Sequence, residues 1–136
     1  MYAIKYPYAV QYDIDLNALT REKVLEILNI IKDSHNFFHT DWTKIPTVIT
    51  TPEAPFLVKY IDENFYGKLG YHLNDLKDKD IKSIREHEKT TVTKIVNKTK
   101  KGQLVEHDFD IFDIMSSDGT LQCKIGLSKD IKPYFN

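Results

Sequence analysis

The sixteen residues from Phe56 to Tyr71, Phe-Leu-Val-Lys-Tyr-Ile-Asp-Glu-Asn-Phe-Tyr-Gly-Lys-Leu-Gly-Tyr, constrain this chain more than any other stretch. The segment opens as a short apolar strand and then turns sharply. Asp62 can cap the helix that follows, its carboxylate accepting from a free backbone N–H one turn in. Phe65 and Leu69 then share one helix face at i, i+4, and Gly70 supplies the backbone freedom that ends the helix.

The flanking sequence fills in the frame. Tyr2, Tyr6, Tyr8 and Tyr12 alternate within residues 1–17, as along a strand with one tyrosine face, and Pro7 restricts such a strand to an edge. Thr20 starts a helix in which Val24, Ile27, Leu28 and Ile31 follow i, i+3, i+4, i+7. Leu25 and Ile30 widen that stripe, while Arg21, Glu22, Lys23, Glu26 and Lys32 lie off it. Ile45 to Thr51 reads as a strand. Pro52 and Pro55 bracket a turn into a second strand, Phe56 to Ile61. Short helical pieces follow, one started by Asn74 or Asp75 and another by Asp80. Thr90 to Thr99 fits a strand by β-branching and a helix by the spacing of Ile81, Ile84, Glu88, Thr91 or Val92, and Ile95; a strand from about Thr91 is favoured. Lys100-Lys101-Gly102 then turns into a run in which Val105, His107, Phe109 and Ile111 alternate with Glu106, Asp108 and Asp110. Phe112 and Ile114 break the polar side, which calls for a bulge or a second buried surface. After the Ser116–Gly119 turn, Leu121, Cys123, Ile125 and Leu127 alternate in a last strand.

The bulk properties exclude several classes. At 136 residues the chain makes one domain with a single sizeable core. A net charge of −1 argues against a general nucleic-acid or membrane-surface role, and the Lys94, Lys98, Lys100 and Lys101 cluster reads as a solvated strand and turn. One cysteine excludes an internal disulfide and any CxxC motif. Apolar runs are too short to span a bilayer, and residues 1–8 lack a signal-peptide core. The expected setting is cytoplasmic and reducing. No Gly-x-Ser-x-Gly elbow surrounds Ser34, Ser83, Ser116, Ser117 or Ser128, and no glycine loop suits a phosphate, so an enzyme is not expected.

Three local matches, in order, resemble the PAS domain family. The first is the Phe56–Tyr71 segment, with Asp62 where the family usually has Asn. The second is Gly70-Tyr71 followed by Asn74-Asp75-Leu76, and the third is Asp118-Gly119, an alternating strand, and Gly126-Leu-Ser-Lys-Asp-Ile131. The resemblance covers roughly residues 43–132. It implies an α+β fold: a five-stranded antiparallel sheet with short helices on one face, preceded by an N-terminal amphipathic helix. On this reading residues 1–42 form an extension for capping or dimerisation, and 43–136 the PAS-like core. PAS domains are sensory and docking modules. The expected function is therefore a sensory or signalling module that binds a small ligand, docks a regulatory partner, or both. The rival reading is a pure interaction module with a filled core, and a weaker one is a haem sensor. Lys77 and Asp78 depart from the family pattern, and a trimmed long helix before the third strand would shrink or collapse the ligand cavity.

The resemblance also supplies candidate sites. Pocket positions are Phe65, Leu69, Leu76, Ile81 and Ile84 from the helices, with Ile95, Phe109, Ile111, Cys123 and Ile125 from the strands; all of them equally suit an ordinary filled core. Haem-binding relatives use a histidine on the long helix, which points to His87, although Arg85, Glu86, Glu88 and Lys89 around it read as a solvated helix end. Flavin is set aside because no cysteine follows Gly70-Tyr71 and Cys123 sits in the last strand. His35, His39 and Asp41 have spacing for a metal, but no glutamate precedes His39, and no metal is expected. Val24, Leu25, Ile27, Leu28 and Ile31 are interface candidates for a homodimer or a partner protein. Nothing resembling an effector unit follows the closing strand here, and Pro133 would break a coupling helix. For a complete chain the signal is then expected to pass to another chain by contact, and for an excised domain the effector lies outside the sequence.

Overall fold

The computed structural model describes residues 8–35 and 41–135. Tyr2 and Tyr6 of the alternating tyrosines lie outside the described residues.

The expected strand–cap–helix unit is present. Strands β2 (Thr47–Thr50) and β3 (Val58–Ile61) form an antiparallel hairpin, and helix α2 (Glu63–Leu69) follows at once. The Asp62 carboxylate accepts from the Phe65 N–H at 2.9 Å and from the Thr47 N–H at 3.0 Å, so it caps the helix and ties it to the start of β2. Asn64 donates to the same carboxylate at 2.9 Å. Burial raises the Asp62 carboxyl above its ordinary range, and these three hydrogen bonds oppose the rise. Gly70 ends α2 in the left-handed region at φ 84°, as the sequence requires.

Helix α3 (Leu73–Leu76) begins with the His72 N–H donating to Asp75. A 3-10 turn at Ile81–Ile84 is capped by Asp80, which accepts from the Lys82 N–H. The third expected strand is shorter than β-branching suggests: β4 spans Ile95–Lys98. Threonine hydroxyls explain the loss. Thr90 Oγ1 donates to the Glu86 carbonyl and accepts from the Val96 N–H, and Thr91 Oγ1 accepts from the Lys94 N–H. Side chains that satisfy the local backbone favour turns over a sheet ladder.

Long strands β5 (Leu104–Met115) and β6 (Leu121–Pro133) form the centre of the sheet. The sheet order is β1-β5-β6-β2-β3, with β4 also on β5. Strands β2 to β6 are the five expected antiparallel strands. A sixth, β1 (Tyr8–Gln11), adds in parallel to the far end of β5. The closing strand runs further than its alternation suggested because it bulges: Asp130 and Ile131 oppose His107 alone, with Asp130 at φ 52°. The bulge returns Ile131 to the face of β6 that packs under the short helices.

Two cores lie on opposite faces of the sheet. Helix α1 (Arg21–His35) buries Val24, Ile27, Leu28 and Ile31 against Ile49, Phe112, Ile114, Cys123, Ile125 and Leu127. This is the second buried surface that Phe112 and Ile114 demanded. It also corrects the interface expectation. Those four helix residues are at most 3% exposed and Leu25 packs partly on the same core, so the stripe is consumed within the chain. Each such buried aliphatic side chain contributes about 1.5–3 kcal/mol, and the strand face opposite would otherwise lie in water. On the other face, Val48, Val58, Ile61, Phe65, Leu69, Leu76, Ile84 and Val105 pack together beneath the short helices. Among the described residues no helix is long and apolar enough to cross a membrane.

Candidate ligand pocket

The face under the short helices is only partly filled. Between the 3-10 turn and the strands lies a cavity of about 390 Å³. Ile81 and Arg85 form one wall, Ile95, Phe109 and Ile111 the strand side, and Phe56 closes the end beside β3. The floor is β2 and β6, through Val48, Thr50, Lys124 and Gly126. An added Cβ at Gly126 would sit 3.1 Å from both Phe109 Cε1 and Val48 Cγ1, so hydrogen there permits the close approach of the Phe109 ring.

Where the resemblance implied a long helix, the chain has the 3-10 turn and the threonine turns. The result is not collapse. The cavity opens sideways instead, leaving Ile111 41% exposed although it stands on the inner face of β5.

The polar groups at this site are unevenly paired. Among the described residues the lining includes three basic side chains, Lys82, Arg85 and Lys124, and no carboxylate. Lys124 Nζ lies 2.5 Å from Asp113, its neighbour across β5 and β6. Arg85 is half-buried at the C-terminal cap of the 3-10 turn, and its Nε is buried with no hydrogen-bond partner among the described residues. Burial lowers the affinity of Arg85 for its proton, and the charge of Asp80 opposes that.

Next to the cavity, His107 is buried between Asn97 (2.8 Å from Nε2) and Ser128 (3.0 Å from Nδ1), and its ring leans on Phe109 with centroids 4.6 Å apart. With the Asn97 amide donating to Nε2, the ring is neutral and Nδ1–H donates to Ser128. Burial, with Arg85 adding, pushes the His107 pKa down to about 4. The Asn97 side-chain oxygen is buried and unpaired.

The predicted pocket residues divide into three groups. Ile81, Ile95, Phe109 and Ile111 line the cavity. Phe65, Leu69, Leu76 and Ile84 fill the adjoining core and do not reach the opening. Cys123 and Ile125 are corrected: they face α1. The register explains it, since Ile125 pairs with Phe112 and Ile49, all on the outer face, which leaves Lys124 and Gly126 to point inward. His87, the ligand candidate of the weaker haem reading, is exposed on the turn after the 3-10 segment and does not line the cavity. His39 lies outside the described residues, and with it the proposed metal spacing. Among the described residues no cluster of three metal-ligating side chains occurs.

Sequence reasoning missed Arg85, Lys82, Lys124 and Gly126. A signal for Arg85 existed: it continues the face of Ile81 and Ile84 at i, i+4. Nothing comparable marked Lys124 or Gly126, which occupy the strand parity opposite the apolar one.

No family model matches the chain, and no curated protein matches its sequence. Solved structures do. The chain is similar to a light-oxygen-voltage domain described with a flavin analogue, with TM-score 0.59 and 13% identity over 75% of this chain and 88% of that one. It is also similar to a fungal light-oxygen-voltage photoreceptor linked to blue light and oxidative stress, with TM-score 0.54 and 14% identity over 64% and 73%. Light-oxygen-voltage domains are a PAS subfamily. The fold is PAS-like. The neighbours overturn one expectation, the setting aside of flavin, because the first of these PAS-like structures is described with a flavin analogue. The physical error was to treat a missing cysteine as evidence about binding. A cysteine bears on covalent adduct formation, whereas binding depends on the shape and apolar lining of the cavity.

Proposed function

We propose that this protein is a sensory module in which a small organic molecule occupies the cavity beside Phe109 and a regulatory partner docks on its surface. The observation that carries the reading is the cavity itself: about 390 Å³, largely apolar and open beside Ile111, in a fold shared with light-oxygen-voltage domains. Its size falls at the lower end of ordinary small-molecule sites, which run roughly 300–1,000 Å³. Ligand entry would re-pack Phe109 and Ile111 on the central strand β5, whose other face carries the α1 core, so occupancy can be felt on both sides of the sheet. Because α1 spends its apolar stripe internally, a second copy or regulatory partner would dock elsewhere on the surface. The module is read as non-catalytic, and its single free, buried cysteine suits a cytoplasmic setting.

Flavin is the first ligand to test, through the first neighbour's flavin analogue. The experiment is native mass measurement and an absorption spectrum of the purified protein, followed by addition of riboflavin and of flavin mononucleotide, which differ by the phosphate. The expected result is a retained or acquired small molecule that shifts methyl resonances of Ile95 and Ile111. A mass equal to the bare polypeptide, with those resonances unmoved by flavin or by a panel of apolar molecules, refutes ligand sensing and leaves the pure interaction module.

A further inference from the structure

The geometry points to a ligand with a single carboxylate on an apolar body, its head group held by Arg85; this inference rests on the ligand-sensing reading above. Three observations combine. The cavity is lined mainly by apolar side chains, yet among the described residues its lining has three cations and no carboxylate. Of the three, Lys124 already pairs with Asp113, and Lys82 is exposed to water. Arg85 alone is both half-buried and short of a partner, with its Nε enclosed and unbonded.

Nε itself is enclosed, so an occupant meets Arg85 through its terminal N–H groups. A guanidinium with no carboxylate partner among the described residues, set beside an apolar cavity, favours an occupant that brings one. The planar fork of five donors matches a carboxylate in two parallel hydrogen bonds. Charge count sets the number of head groups. With Lys124 neutralised, one buried cation is left to compensate, which suits one negative charge and disfavours a dianionic phosphate. Asp80 accepts from the Lys82 N–H in capping the 3-10 turn and does not line the cavity; its charge acts on Arg85 but it forms no ion pair with it. The remaining lining supplies the apolar part of the site, with Phe56, Ile95 and Phe109 set to meet a hydrocarbon or aromatic body.

The test compares four probes of one chain length, octanoate, octanol, octylammonium and octyl phosphate, by calorimetry and by methyl shifts of Ile95 and Ile111. The expected result is octanoate binding about tenfold or more tighter than octanol, the scale of one charge-assisted hydrogen-bonded pair. Octylammonium should bind weakest, and octyl phosphate should not exceed octanoate. In Arg85→Gln, the octanoate preference should collapse while octanol binds within about twofold of the original protein. Octanol binding as well as octanoate, or octyl phosphate binding tightest, overturns the carboxylate assignment while cavity shifts uphold ligand binding. Failure of all four probes where flavin or another apolar molecule does move the cavity resonances overturns the carboxylate assignment alone, and failure of every one of these molecules defeats both readings. The probe ranking in the unaltered protein decides the matter even if Arg85→Gln folds poorly.

Discussion

Acidifying this protein should expose the cost of keeping His107 neutral. The imidazole is 2% exposed and held between Asn97 and Ser128, and its pKa falls from 6.5 to about 4 in the folded chain. Unfolded, the same histidine titrates near 6.5. Between those two values the unfolded state binds a proton that the native state refuses, so stability rises with pH there and is lost as pH falls from 6.5 toward 4. At about 1.4 kcal/mol for each tenfold change in proton affinity, the loss amounts to about 3 kcal/mol, a large part of a small domain's stability. Carboxylates titrate in part of the same window, so the measurement is a difference. Urea unfolding followed by circular dichroism, from pH 7 to pH 4, is compared for the original protein and His107→Gln. The variant is less stable at pH 7, but it has no imidazole at this position to protonate. The gap between the two should therefore shrink by about 3 kcal/mol on going to pH 4. A gap that stays constant, or a His107 resonance that titrates near pH 6.5 in the folded protein, refutes the reasoning.

Leu28→Ala should destabilise the protein by about 2–5 kcal/mol with no change in its association state by sedimentation, because Leu28 is buried on its own sheet. A weakened oligomer of unchanged stability would restore the helix as an interface. Burial, with Asp113 adding, pushes the Cys123 thiol up to about 12, so iodoacetamide at neutral pH should leave the native protein unlabelled and modify it after denaturation. Rapid labelling of the native state would contradict the placement of Cys123 under α1.

Local chemistry was the most legible part of the sequence. Asp62, Thr20 and Asp80 cap where their positions predicted: Thr20 Oγ1 accepts from the Lys23 N–H at 3.2 Å, and the helix stop at Gly70 follows from one residue's freedom at positive φ. The five strands were visible for a similar reason, since alternation and turn residues act within a few positions. Where two local signals competed, as between β-branching and hydroxyl bonding at Thr90 to Lys94, only the folded backbone chose.

The candidate site needed more than local information. Period-two alternation separates two faces of a strand without saying which of them meets the helices and which meets α1. Val105, Phe109 and Ile111 of β5 turn inward, yet Cys123, Ile125 and Leu127 of β6 turn outward, and the choice depends on the register between strands. That register moves Lys124 and Gly126 into the cavity and the cysteine out of it. Thus the chain's own order of caps, turns and alternating runs determined a PAS-like sheet with short helices. Tertiary packing alone decided that α1 is core rather than interface, and that Arg85 stands at an open cavity. Caps and turns are settled by bonds among near neighbours, whereas a cavity is what remains after distant strands have paired.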